Sequence, residues 1–254
     1  VSASPAPARF RSRPPWVLAL GLAAGAALTT ALGVALGFRW LLPFLGAAVP
    51  FAVFFPRVRA GRFRAAVGWV VLWALFQSLA VGAATLLLPD RTGAAVFRGP
   101  PYAAEMVHWV QTGEGPEGSP RLFLPIHARH FAAFCVLSAL SAGGLGLVLG
   151  TVLLNYMNFY VATLVGASAR PLVAALFGWP IWAEVRVIGF IVCGAALGAL
   201  LPAAWSRRRG GPATPRFPGR LFALGVGLIL ADIVLKTLLA PPWQRLLLRA
   251  LEGH

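Results

Sequence analysis

Between Phe131 and Ala169 the chain carries no charged residue, while Ile126-His127-Ala128-Arg129-His130 stands just before this stretch and Arg170 just after it. As one helix, Phe131 to Gly166 would run ~54 Å at 1.5 Å per residue, well past a hydrocarbon core of roughly 30 Å. How often it crosses a bilayer therefore decides the side on which everything after it lies. Its middle is rich in glycine (Gly143, Gly144, Gly146, Gly150), and its second half reads Asn155-Tyr156-Met157-Asn158-Phe159-Tyr160.

A bilayer is the expected solvent for such a chain. Of 254 residues, 59% are hydrophobic and 11% charged, where a soluble domain carries roughly a quarter charged. The apolar runs are long and continuous, which favours helices over the alternating ten-residue segments of a barrel. The expected fold is thus all-α: a polytopic integral membrane helix bundle, with seven transmembrane helices preferred over six. Residues 1–15, rich in Pro and Ser and carrying Arg9, Arg11 and Arg13, read as a disordered basic cytoplasmic tail before a single transmembrane domain over 16–254. A signal peptide is disfavoured because the first apolar run, Trp16 to Phe38, is longer than an h-region and no polar cleavage region follows.

The net charge of +15 does not point to nucleic acid, because the arginines sit in short clusters between apolar runs. One lysine against 21 arginines, with much Ala and Gly, fits a GC-rich bacterial genome and hence a bacterial inner membrane. Cys135 and Cys193 lie inside apolar runs and read as core thiols.

The spans expected from hydropathy are 16–38, 41–55, 65–88, two within 131–177, 185–205 and 221–239. Gly21-x-x-x-Gly25, Gly33-x-x-x-Gly37 and Gly194-x-x-x-Gly198 are small-residue pairs that let helices approach closely. Residues 89–128 form an outer loop holding Asp90, Glu105, Glu114 and Glu117. Within it, Pro100 to Thr112 predicts a short amphipathic helix, with Tyr102, Met106, Trp109 and Val110 on one face and Glu105, His108 and Thr112 on the other. It is expected in the membrane interface. Pro241-Pro242 should stop the last span, leaving Trp243 to Glu252 as a second interfacial helix.

Charge counting favours two crossings for the central stretch. One crossing would put Arg207, Arg208, Arg209, Arg216 and Arg220 outside and erase the positive-inside bias. A turn near Asn155–Asn158 puts them inside with Arg57, Arg59, Arg62 and Arg64. Seven crossings follow, with the N-terminus cytoplasmic. Arg170 then falls inside the fifth span at a cost of roughly 2.5–3.5 kcal/mol if unpaired.

Three constellations are candidates for chemistry. Arg170 and Asp232 both reach ~20 Å from the cytoplasmic end at 1.5 Å per residue and are expected to pair across two helices. Glu184, Arg186 and Lys236 lie nearer the outer surface. The set reads as a polar cavity or ion path, or else as a structural ion pair with snorkelling neighbours and a plain i,i+4 contact between Asp232 and Lys236. On the outer side, Glu105-x-x-His108 and His127-x-x-His130 place imidazoles and a carboxylate at helical spacing, a set able to hold a transition metal or a haem, or to act as a base. The plainer reading is polar residues gathering where a helix meets water. Asn155 and Asn158 line a solute path or make an inner turn.

No Walker motif, nucleophile elbow or His-Glu-x-x-His is present, so catalysis is not the first expectation. The function expected is a permease-like or accessory subunit handling a small or lipidic solute. The alternatives are a membrane enzyme or redox subunit working at the outer face, and a structural assembly factor. The bilayer is the certain partner; other membrane subunits or further copies of the chain are candidates.

Overall fold

The computed structural model describes residues 14–209 and 216–253, and all regular structure among them is helical. In chain order the helices are α1 Pro15–Leu36, α2 Leu41–Arg59, α3 Phe63–Leu87, α4 Pro89–Ala95, α5 Gly99–Thr112, α6 Pro120–Leu140, α7 Gly144–Ala167, α8 Pro171–Phe177, α9 Ile181–Leu197, α10 Leu200–Arg208 and α11 Gly219–Glu252. Seven segments are long and apolar enough to cross a membrane: α1, α2, α3, α6, α7, the run Pro171–Arg208 and α11. The chain is a multi-pass membrane protein. Leu28, Leu140, Leu172 and Leu238 are each more than 60% exposed; leucines placed so would drive aggregation in water and are at home against lipid tails.

Consecutive spans run antiparallel, as their closest residues show. Gly25 lies against Val49 and Gly33 against Leu42; Gly146 lies against Ser138, and Gly189 and Gly225 lie against each other across α9 and α11. A methyl group added at Gly225 would sit 2.5 Å from Cys193 Sγ, so these helices approach backbone to backbone. The alternation defines two ends. The basic end holds the α2–α3 loop with Arg57, Arg59 and Arg62, the α6–α7 turn, and Arg207 to Arg209. The cap end holds α4, α5, the 113–119 loop, α8 and the tip of α11.

The central stretch is two crossings, but its turn is not at Asn155–Asn158. The α6 helix ends at Leu140, and Ala142 (φ 52°) and Gly143 (φ 90°) reverse the chain in left-handed conformation. Ser141 fixes the reversal: its Oγ accepts a 2.8 Å hydrogen bond from the Leu145 amide, one of the donors a helix start leaves unsatisfied. Asn155 and Asn158 instead lie mid-helix in α7, buried. Gln77 of α3 donates from Nε2 to Asn155 Oδ1 at 3.1 Å and to Thr30 Oγ1 of α1 at 3.3 Å. Asn155 is thus interhelical glue rather than part of a turn, each bond worth about 0.6 kcal/mol in a bundle of this kind, while the Asn158 amide is buried without a hydrogen-bond partner among the described residues.

Three further expectations change. The fourth apolar span starts at Pro120 instead of Phe131, so α6 already includes His127 and His130. Pro241-Pro242 does not stop α11, which continues to Glu252 and turns Leu247 and Ala250 inward on the face expected of a separate helix. The predicted face of α5 is buried as expected at Met106, Trp109 and Val110, yet it packs into the main core beside Tyr160, Trp182 and Leu247. A cap results, tied down by Gln244 Nε2 donating to Val110 O at 2.6 Å. The expected basic tail lies, as far as residue 13, outside the described residues.

Candidate functional site

Five ionisable groups meet beneath the cap: Glu117, Asp232 and Lys236, which are buried, and His127 and Arg186, which are partly so. The 113–119 loop drops Glu117 inward, where Oε2 accepts from Lys236 Nζ at 2.8 Å and Oε1 from Trp182 Nε1 at 2.9 Å. The Lys236 ammonium also stands 4.4 Å from the centre of the Phe123 ring, a cation–π contact. Burial alone would push the Glu117 carboxyl up. The charges of Lys236 and Arg186 and the hydrogen bonds from Lys236 and Trp182 outweigh it and hold the group below the usual carboxylate range.

One turn earlier on α11 stands Asp232, fully buried. It does not pair with Lys236, nor with Arg170. Arg186 NH1 lies 3.9 Å from Asp232 Oδ2, and His127 Nε2 lies 3.8 Å from the same oxygen. Neither distance is a hydrogen bond. The His127 tautomer follows from its other contact: Nδ1 is 3.0 Å from the Phe123 carbonyl, which only accepts. Nδ1 therefore carries the proton, and the Nε2 lone pair faces the Arg186 guanidinium, with which it is in close contact.

Arg170 corrects the expected intramembrane pair. It lies in the α7–α8 connection at the cap end, exposed, and its guanidinium donates to Gly253 O at 3.1 Å. Its backbone amide donates to Ala250 O at 3.0 Å and that of Ala169 to Leu251 O at 3.3 Å. These bonds cap the carbonyls at the end of α11, where a positive charge also complements the helix dipole. Arg170 does not lie ~20 Å deep in a span because α7 ends at Ala167, before Arg170 is reached.

A cavity of about 130 Å³ opens from this charged cluster into the bundle. One site for a water takes 10–15 Å³, so the space is several times larger than a trapped solvent molecule. At the cap end it is lined by Tyr102, Glu105, Glu117, His127, His130, Tyr156, Arg186 and Lys236; towards the basic end by Phe54, Trp73, Phe134, Leu147, Leu153, Leu154 and Phe190. Along α7 and the turn before it the lining runs from Met157 to Gly143, ~21 Å at 1.5 Å per residue. The cavity is a long, narrow slot with a polar head and an apolar shaft.

The slot gathers some predicted residues and leaves others out. Arg186, Lys236, Glu105, His127 and His130 line it. Glu184 and His108 are exposed, and Asn155 and Asn158 face other helices. Glu105 is 4.0 Å from Arg98. Among the described residues no three His, Cys, Asp or Glu side chains converge as a metal would require, so Glu105, His108, His127 and His130 do not form one ligand set. Sequence reasoning missed Glu117, Trp182 and the tyrosines. All three tyrosines of the chain cluster here: the Tyr102 ring is 4.3 Å from that of Tyr156 and 6.2 Å from that of Tyr160. Burial, the first cause, raises the Tyr102 phenol well above 10, so it stays a neutral donor. The signal available in sequence was a lone lysine on an apolar helix, which demands a buried carboxylate from somewhere.

No protein-family model, no curated protein and no solved structure matches this chain.

Proposed function

We propose that this chain is a permease-like or accessory subunit of a bacterial inner membrane that takes an amphiphilic, lipidic solute into the slot. The observation that carries this reading is the continuity of the cavity: one space, lined along ~21 Å of α7 and the turn before it, joins ionisable groups beneath the cap to an apolar shaft. A polar solute has no use for such a shaft, and a wholly apolar one has no use for Arg186 and His130. Pockets of this kind bind by apolar area and orient by a few polar groups. The arginines of the basic end support a cytoplasmic placement of that end and of the N-terminus, so that the head of the slot lies towards the outer leaflet.

The slot can be closed by substitution without touching its charges. A methyl group at Gly150 would find its nearest neighbour, Phe134 Cε2, at 3.9 Å, so Gly150→Leu extends into open space. Native mass spectrometry of protein released gently from membranes reads the outcome. The wild type is expected to carry a single amphiphile adduct, and Gly150→Leu to lose it while keeping its thermal unfolding temperature. An adduct retained equally by both proteins, or absent from both, overturns the reading.

A further inference from the structure

The head of the slot holds an excess of hydrogen-bond donors. A guanidinium has five N–H groups, and among the described residues that of Arg186 makes one hydrogen bond, to His127. Asp232 neutralises it from outside the slot lining at 3.9 Å, without taking its hydrogen bonds. The Tyr102 hydroxyl reaches only the Met157 sulfur, at 3.3 Å, a weak acceptor. Neither Tyr156 nor His130 has a hydrogen-bonded side-chain partner among the described residues, and both line the same space. Of the carboxylates nearby, Glu117 is held by Lys236 and Trp182; among the described residues Asp232 accepts no hydrogen bond but lies outside the slot lining, and Glu105 stands 4.0 Å from Arg98.

Resting on the slot reading above, we infer that this head is an oxyanion site. It receives a carboxylate or phosphate against Arg186, Tyr156 and His130, with Lys236 withheld by its own carboxylate. The division of labour between the two cations is the basis. Lys236 has its charge matched and two of its faces covered, by Glu117 and by Phe123. Arg186 has its charge balanced at a distance and, beyond the contact with His127, makes no hydrogen bond among the described residues. A planar guanidinium in that condition suits a two-oxygen acceptor, which it can meet with parallel hydrogen bonds. A neutral hydroxyl head would leave most of these donors unpaired in a buried setting, which is costly.

The same chemistry can arrive as a lipid headgroup or as a free anion, and one titration separates them. Full-length protein in neutral detergent is titrated with four probes: a long-chain alkyl phosphate, a fatty acid and a fatty alcohol of equal chain length, and inorganic phosphate. Both anionic amphiphiles are expected to bind roughly tenfold or more tightly than the alcohol. Arg186→Gln should abolish that preference while leaving alcohol binding in place. Tyr156→Phe, which keeps the ring and the packing, should narrow it and guards against misfolding of the arginine variant. Alkyl phosphate bound more tightly than inorganic phosphate assigns a lipid head; equal binding assigns a free anion at the same site. An alcohol that binds as well as the acids overturns the oxyanion site while leaving the slot reading intact. A preference unchanged in both variants overturns it too. Loss of every amphiphile from the wild type instead removes the slot reading on which it rests.

Discussion

Lys236 is the residue on which the cap depends. Its side chain is buried, and its counterion comes from a loop more than a hundred residues earlier. Removing one partner of such a pair leaves the other charged and dry. Lys236→Met should therefore destabilise by about 3–5 kcal/mol, read as thermal unfolding in detergent. Adding Glu117→Gln to it should recover a large part of the loss; no recovery would mean that the pairing is not what Lys236 contributes. The pH dependence has a definite sign. The Glu117 carboxyl is held below its ordinary value of 4.5, so its contribution is present above that pH and is lost as pH falls through the lower folded value. The acid limb of the stability profile should flatten in Glu117→Gln. Such a partnership is hard to read from sequence, since Lys236 has Asp232 one turn away and nothing in the spacing announces Glu117.

Among the elements, the α6–α7 turn is the one that fixes the register of the second half. Its signal was present in the sequence as Ser141-Ala142-Gly143-Gly144. The asparagines drew the turn to themselves because Asn favours turns in water; between helices in a membrane the same amide serves as a crosslink. Ala142 sits at φ 52°, where a Cβ costs ~1–2 kcal/mol. Ala142→Gly should raise stability by up to about 1 kcal/mol. Gly143→Ala should lower it by roughly 1–3 kcal/mol, because the new methyl group would enter the space of the Phe54 ring. Paired thermal melts of the two variants check both signs, and a stabilised Gly143→Ala would discredit this account of the turn.

For the whole molecule, hydropathy and charge between them conveyed the architecture. Seven apolar segments were countable, and the arginine clusters fixed the parity of the central stretch even though the turn was misplaced by more than three helical turns. Parity is insensitive to where a hairpin bends; depth is not, and the one pairing argued from depth, Arg170 with Asp232, went wrong for that reason. The slot was invisible for another: it is made of residues from seven helices and the loops between them, whose only common property is the space they enclose. The two ends can be told apart by single cysteines in a background lacking Cys135 and Cys193. Ala60→Cys should be blocked from an impermeant thiol reagent in intact cells, and Glu114→Cys should react. Labelling of both, or the reverse pattern, would refute the proposed orientation.

The partners of the buried cluster also carry an order in time. Synthesis runs from residue 1 upward, so His127 and Arg186 enter the bilayer before Asp232 exists, and Glu117 waits beside them for Lys236. An arginine without its carboxylate costs roughly 2.5–3.5 kcal/mol in a bilayer. A nascent chain halted before residue 232 thus holds a charged, half-built chamber, and the arrival of α11 discharges it. The cluster is complete only once α11 has entered and brought Asp232 and Lys236 to their partners.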